Sequence, residues 1–351
     1  MKINKNRFLL GIPLGMAAIV PFSSATAGDV EVLDKIPISD AKVVVDGEYE
    51  DDEEYPVDEN LWLYTKGTKT REQGSFELKT GGIARLGKRE GSYTFLDLRP
   101  ELEYGITDKL TVGASFFVFH HDYDNVPWAP MVDTQGGPGG SYDNTQIGGW
   151  EGFLKYNLFN PFEDWMGVSL GISYDRRRAY RLDGARITQD AVSPVLYLQK
   201  SFLDDRLQWA FKGKLEHEHR VSPGVLEEEI APDLATGLSY GLTDELWIGV
   251  EARWQSDFLT PEEDGEIAPG ANRSSWDWGD YKWGDQFQWG LYVGPTIHWD
   301  PEDTEWWVTG GALWQVKGWS ADGADASSGG KNWDEHEQVH VGILFGYEWG
   351  D

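Results

Sequence analysis

The histidines are the residues of this 351-residue chain best suited to metal binding or proton transfer. His217 and His219 lie two positions apart in EHEHR, so both would share one face of a β-strand and could hold a metal ion, but no third ligand adjoins them. His120, His121 and His298 could serve a nucleophile, yet the sequence contains no nucleophile-elbow or comparable signature. We therefore predict no catalytic residue, no metal site and no cofactor.

Two acidic segments and one Trp-rich segment could bind ligands in loops. FHHDYDN at 119–125 and TPEEDGE at 260–266 could offer carboxylates to Ca²⁺, but neither has the ligand spacing of an EF-hand loop. Solvated loops are the simpler interpretation of both. Trp276, Trp278 and Trp283 are candidates for stacking against a ligand.

Charged side chains recur at every second position in several segments. FELKTGGIARL and TFLDLRPELEYGI alternate apolar residues with charged ones, which is the two-residue period of a β-strand with one polar face. If these polar faces line a lumen, they form either an ion-pair network that fills it or a polar pathway that sets ion or solute preference. The predicted lumen-lining residues are Glu77, Lys79, Arg85, Asp97, Arg99, Glu101, Glu103, Glu151, Lys155, Asp175, Arg177, Lys212, Lys214, Glu251 and Arg253.

The amino-terminal residues indicate export. Residues 1–27 have the cationic start, apolar run and Ala-x-Ala site of a cleaved secretory signal peptide. Removing them takes away Lys2, Lys5 and Arg7, which leaves 27 Lys and Arg against 60 Asp and Glu, a net charge of −33. Such a surface repels nucleic acid, and the absence of Cys excludes disulfides. Residues 28–73 are predicted to form an acidic periplasmic lead.

The remaining residues, 74–351, carry the alternating segments. Beyond the signal no stretch of 18 apolar residues exists, so no transmembrane helix is predicted. Short acidic connections alternate with longer Gly-rich ones at 121–144, 256–285 and 319–337, which is typical of a membrane barrel with periplasmic short turns. The sequence therefore predicts an all-β fold, an antiparallel transmembrane β-barrel of about 12 strands, because an even number of strands closes without free edges.

Aromatic residues and prolines add detail to this prediction. Pro100, Pro232 and Pro295 would cost ladder hydrogen bonds and are predicted to mark bulges. Aromatic side chains gather near the short turns, as an interfacial girdle requires. The predicted girdle comprises Tyr104, Tyr156, Trp165, Trp209, Tyr240, Trp247, Trp299, Trp306, Tyr347 and Trp349.

The final segment, HVGILFGYEWGD, alternates in the same way. Its apolar parity ends in Phe345, Tyr347 and Trp349, and this terminal pattern resembles the assembly signal of Gram-negative outer-membrane barrels, although Gly350 and Asp351 follow. DLRPELEYGITDKLTVGASF, with the upstream ENLWLY, resembles a family of uncharacterised barrels of unknown function. The resemblance covers residues 59–349. It implies the outer membrane of a Gram-negative bacterium as location, and lipid and the barrel-assembly machinery as partners.

These features favour a porin-like function, a passive channel for ions or small polar solutes. Asp97, Glu101 and Glu103 share one strand face with only Arg99 to oppose them, so we expect a negative field and a preference for cations. A non-conducting structural or surface-binding barrel, or a membrane-embedded hydrolase, are the alternatives.

Overall fold

The strands account for most of the described chain. The computed structural model describes residues 59–126, 132, 134–135, 139–222, 225–259, 283–302, 304–321, 323 and 328–350. Within them, no helix has the length and hydrophobicity needed to cross a bilayer. The described residues form thirteen β-strands: β1 (Phe76–Leu86), β2 (Ser92–Leu98), β3 (Glu101–Thr107), β4 (Leu110–Asp124), β5 (Tyr142–Phe159), β6 (Gly167–Ala179), β7 (Arg186–Phe202), β8 (Leu207–Ser222), β9 (Val225–Gly241), β10 (Leu246–Leu259), β11 (Gln286–Trp299), β12 (Trp306–Ser320) and β13 (Val339–Trp349).

The strands form one closed antiparallel barrel. From β4 to β13 each strand pairs with the next along the chain, and β13 pairs with β1, from Phe76 opposite Trp349 to Leu86 opposite Val339. β2 and β3 both lie between β1 and β4, so they occupy one position and the barrel has twelve. Closure leaves no free edge, which confirms the predicted fold class.

Proline explains why one of these positions is split. Strand pairing is interrupted between Leu98 and Glu101, where Pro100 cannot donate to the ladder. The predicted bulges at the other two prolines are wrong, because the register of the ladder shifts at neither Pro232 nor Pro295.

The alternation of each strand separates an apolar outer face from a polar inner face. On β13 the apolar parity is exposed, with Ile343 62% accessible, while His340 on the other parity is fully buried. Most of the predicted girdle residues are likewise exposed or half-buried on the outside. Trp247 differs, because it lies inside the barrel beside Trp62 and Ala210.

The two ends of the barrel differ in their connections. One end, called here the short-turn end, carries the connections of two to seven residues that follow β3, β5, β7, β9 and β11. The opposite long-loop end carries the connections after β4, β10 and β12. In the segment FHHDYDN, predicted as a loop, residues 119–124 belong to β4 and end at the long-loop end. TPEEDGE, Trp276 and Trp278 lie outside the described residues.

Candidate functional site

Residues 59–73 are called here the inward segment; the segment lies within the barrel up to Arg71, and its last two residues are exposed. The segment rises from Glu59 and returns to join β1, with Gly67 N–H donating to Glu59 O at 2.9 Å. Leu61 and Trp62 are buried, and the wall makes room for Trp62 at Gly237, where an added Cβ would come within 2.2 Å of the indole nitrogen. The sequence analysis assigned these residues to the lead and did not predict this position.

A single carboxylate of the wall holds the tip of the inward segment. Glu251 on β10 accepts hydrogen bonds from the backbone N–H groups of Leu63 at 3.1 Å, Tyr64 at 2.9 Å and Thr65 at 2.6 Å. These three donors have left water and belong to no strand, so a buried acceptor is the way to satisfy them. Glu251 therefore fixes the segment in place.

The strand register creates a row of like charges beneath the inward segment. Glu77 on β1 lies opposite Glu348 of β13 and opposite Glu103 of β3, and we call these three residues the acidic row. Like charges directly opposite each other on a sheet are destabilising. The inward segment supplies Arg71, which contacts Glu348 at 2.5 Å and Glu77 at 3.6 Å.

Lysine side chains, together with Arg71, neutralise the acidic row and Glu59. Lys79 contacts Glu77 at 3.2 Å and also pairs with Glu103, while Lys66 of the inward segment reaches Glu103 at 3.5 Å. Lys155 from β5 pairs with Glu59 in the same way.

Glu59, Glu77 and Glu103 offer oxygens within 4.8 Å of one another, the kind of group that could hold a metal ion. Lys79 and Lys155 already bind to its carboxylates, so this group is an ion-pair cluster and its geometry does not favour a cation.

The middle of the lumen carries further paired charges. Arg99 forms a bidentate pair with Asp97 at 3.0 and 2.8 Å, and Arg253 does the same with Asp233 at 2.9 Å for both bonds. Such fork-to-carboxylate pairs are the strongest geometry available to arginine. On β6, Arg177 contacts Asp175 at 3.0 Å.

The loop after β6 folds inward over an aromatic cluster at the long-loop end. His121 Nε2 donates to the carbonyl of Arg181 at 2.9 Å, and Tyr93 donates to the carbonyl of Leu182 at 2.9 Å. The cluster was not predicted, although FFVF in β4 is apolar on both parities and so signals an apolar interior there. Its buried members are Tyr93, Phe95, Phe117, Phe119, Tyr123, Val126 and Ala179.

The loop before β13 also folds inward and is linked to the inward segment through His340 of β13. Tyr64 Oη lies 2.8 Å from His340 Nδ1, and His340 Nε2 lies 3.3 Å from a carboxylate oxygen of Glu337. Burial lowers the pKa of His336, in the same loop, to about 3. The chain of contacts joins the inward segment to a loop of the opposite end.

The described residues enclose two adjoining cavities, of about 220 Å³ and about 130 Å³, inside the barrel. Both have polar and apolar lining, and they share Glu216 and Asp233. They also share four arginines, called here the arginine junction, which are Arg85, Arg177, Arg181 and Arg253.

Fourteen of the fifteen predicted lumen residues lie on strands, Arg99 lies in the break between β2 and β3, and none of the fifteen is exposed. The structure groups Glu77, Lys79 and Glu103 at the short-turn end and brings Arg85, Arg177 and Arg253 to the junction. It also adds Glu59, Arg71 and Arg181, which the sequence analysis did not select because they lie outside the strands and carry no period.

The predicted assembly residues Phe345, Tyr347 and Trp349 lie on the outer face, at 41%, 43% and 39% exposure. Of the histidines, His219 contacts Glu228 at 3.2 Å and His298 contacts Thr309 at 2.7 Å. In the described part of the chain, no histidine joins a group of three metal-ligating side chains.

Comparison with known proteins identifies the family of this chain and a solved barrel of similar fold. A family of unknown function, DUF6662, matches residues 55–349, and the chain belongs to this family. No curated protein matches it.

Among solved structures, the chain resembles the COG4313 outer membrane channel from Pseudomonas putida F1, with a TM-score of 0.50 and 9% identity over 80% of this chain and 98% of that one. It also resembles the NanC porin, with a TM-score of 0.42 and 8% identity over 78% and 100% of the two chains. These likenesses concern the fold alone.

Proposed function

We propose that the protein is a channel of low conductance for ions or small polar solutes, inserted in the outer membrane of a Gram-negative bacterium. The observation that carries the proposal is the pair of adjoining cavities inside the barrel, lined by charged side chains of both signs. A polar pathway through a closed barrel is the arrangement that permits permeation.

The inward segment explains why the conductance should be low. Leu61, Trp62 and Thr65 are almost completely buried against the wall, so the short-turn end offers little room for a solute. Permeation then requires either a narrow path beside the segment or its displacement from the carboxylate of Glu251. If neither occurs, the protein is the non-conducting barrel that the sequence also allowed.

The cation preference was expected because three carboxylates had only Arg99 to oppose them, and the ion pairs remove that argument. Asp97 is paired with Arg99, while Glu101 contacts Lys66 and Lys79, each at 3.2 Å. Glu103 is paired as well, so none of the three carboxylates presents a free charge. A preference for cations would have to come from the excess of carboxylates in the whole chain, and its test is the reversal potential under a salt gradient.

Single-channel recording in a planar bilayer tests the proposal. We expect small, discrete conductance steps from the mature chain, and larger steps from Glu251→Ala, which frees the tip of the inward segment. Asp244→Asn is the matched control, because that carboxylate is 83% exposed in a short turn. Correctly folded barrels that conduct in neither form would refute the proposal and favour the non-conducting alternative.

We also propose that the short turns face the periplasm and that β13 carries the signal for the assembly machinery. An impermeant maleimide applied to intact cells should then label Gly139→Cys and spare Asp244→Cys, since the chain has no native Cys. Replacing both Tyr347 and Trp349 by Ser should lower the folded outer-membrane fraction, whereas deleting residues 350–351 should not. The opposite labelling pattern would show that the short turns face the outside of the cell and would contradict the proposed orientation.

A further inference from the structure

The arginine junction contains a buried guanidinium that lacks a partner. Arg85 on β1 is 93% buried, since only 7% of its surface is accessible. Within the described residues it makes no ion pair, and its Nε has no hydrogen-bond partner. Its described polar or aromatic contact is with the ring of Phe95, whose centroid lies 5.7 Å from the guanidinium carbon. Both cavities border this side chain.

Three neighbouring cations add to the positive charge. Arg181 reaches its carboxylate partner, Glu216, only at 4.0 Å. Lys212 donates to the carbonyl of Tyr64 at 3.2 Å and forms no ion pair among the described residues. Arg253 donates hydrogen bonds from Nε and Nη2 to Asp233, while its Nη1 has no hydrogen-bond partner.

Asp97 and Glu337 lie close enough to interact electrostatically with Arg85, but no described carboxylate forms an ion pair with it. The two carboxylates that border both cavities are engaged by other cations. Glu216 is held by Arg177 at 2.5 Å and by Lys214 at 3.2 Å, and Asp233 is held by Arg253. Burial, together with the nearby charges of Arg177 and Arg85, lowers the pKa of Arg181. A buried charge without a counterion is costly, so the junction would be stabilised by an anion supplied from outside.

We propose that the arginine junction is a binding site for a small oxyanion, a carboxylate or a phosphate, held between Arg85 and Arg181. Guanidinium groups present planar forks that match both oxyanions, and a spherical halide satisfies them less well. The free Nη1 of Arg253 offers a further donor from the facing wall.

The cavity sizes limit the ligand. The larger space, about 220 Å³, corresponds to roughly seven waters at about 30 Å³ each. It is below the range of about 300–1,000 Å³ that holds drug-sized ligands. Tyr64 of the inward segment lines this cavity, so a bound anion would lie against the segment. The site thus fits an inorganic oxyanion or a small organic acid, and its existence does not depend on conduction.

Isothermal titration calorimetry on the folded mature chain in detergent tests the site. Sodium phosphate and sodium acetate are titrated separately into protein kept in sodium chloride at constant ionic strength. We expect one saturable site for at least one of the two, and the pair distinguishes phosphate from carboxylate. Arg85→Met should weaken binding at least tenfold, whereas Arg206→Met, which removes an exposed arginine 52% accessible in a short turn, should leave it unchanged.

Heat-modifiable gel migration verifies that each variant is folded before titration. If Arg85→Met does not fold, Arg181→Gln tests the same site from a loop, and it should weaken binding by a similar factor. No saturable binding of either anion to the folded mature chain would overturn the proposal. Binding that persists unchanged in Arg85→Met and Arg181→Gln would overturn it equally.

Discussion

The acidic row and the arginine junction differ in how their buried charges are paired. Around the acidic row, Glu77 and Glu103 are matched by Lys79, and the inward segment adds Arg71 and Lys66 where the wall alone would be too negative. At the arginine junction, no carboxylate of the described chain forms an ion pair or a hydrogen bond with Arg85. The charges of the first region are paired within the protein, whereas the second region has an unpaired charge and space for a ligand.

This difference separates structural charge from charge available for function. A lumen rich in both signs suggests a pathway, but most of its charges are used to hold the inward segment against the wall. Removing a charge that is not paired should not lower the free energy of unfolding. Paired and unpaired side chains should therefore respond in opposite directions to the same kind of substitution.

The largest contrast is expected between Lys155→Met and Arg85→Met. Lys155→Met leaves Glu59 buried with its closest partner removed, which should lower the free energy of unfolding by about 3–5 kcal/mol. Arg85→Met removes an unpaired buried charge and should be neutral or stabilising. Urea unfolding of the two variants in detergent micelles measures both effects.

Glu59→Gln provides the control for that contrast. Combined with Lys155→Met it removes both charges of the pair, so the double variant should recover much of the loss. Equal losses in Lys155→Met and Arg85→Met would show that the two regions are not different in kind.

A loss of stability is also expected at the tip of the inward segment. Glu251→Ala leaves three backbone N–H groups without their acceptor, at a cost of about 1–3 kcal/mol for each that stays dry. Glu251→Gln keeps one carbonyl oxygen and should lose less. Proteolysis and hydrogen exchange of residues 61–66 report the release, and identical protection in both variants would contradict the assigned role of Glu251.

Gly237→Val should disturb the same segment from its other side. An added Cβ there lies 2.2 Å from the Trp62 indole nitrogen, so the indole must move, with a cost of about 1–3 kcal/mol. Gly152→Val is the matched control, because the nearest atom to an added Cβ there is 3.9 Å away. The fluorescence of the tryptophans should change in the first variant and stay constant in the second.

The twelve-position barrel followed from the sequence because a closed membrane barrel imposes its two-residue period on every strand. Glu77, Asp97 and Glu251 could be assigned to the lumen from parity alone. The inward segment could not, since residues 59–73 have no period and their acidic surroundings suggested solvation. The ion pairs could not be predicted from the sequence either, because Lys66 contacts Glu101 only as a result of the position of that segment.

Acid should also destabilise the long-loop end. Burial depresses the pKa of His336 from 6.5 to about 3, so its contribution to stability is complete above pH 6.5 and is lost as the pH falls towards 3. Glu337 acts in the same direction, because Lys88 and His340 hold its pKa well below the usual value despite its burial. Replacing His336 by Gln should flatten the pH dependence of unfolding in this range, and an unchanged dependence would contradict it.

The position of the inward segment is the central claim, and cysteine labelling tests it most directly because the native chain has no Cys. Leu61 is 1% accessible, whereas Gln73 is exposed at the point where the segment leaves the lumen. A water-soluble maleimide should label Gln73→Cys rapidly in the folded barrel and Leu61→Cys only after unfolding in urea. Equal labelling rates in the folded protein would place residues 59–73 outside the barrel and contradict the account.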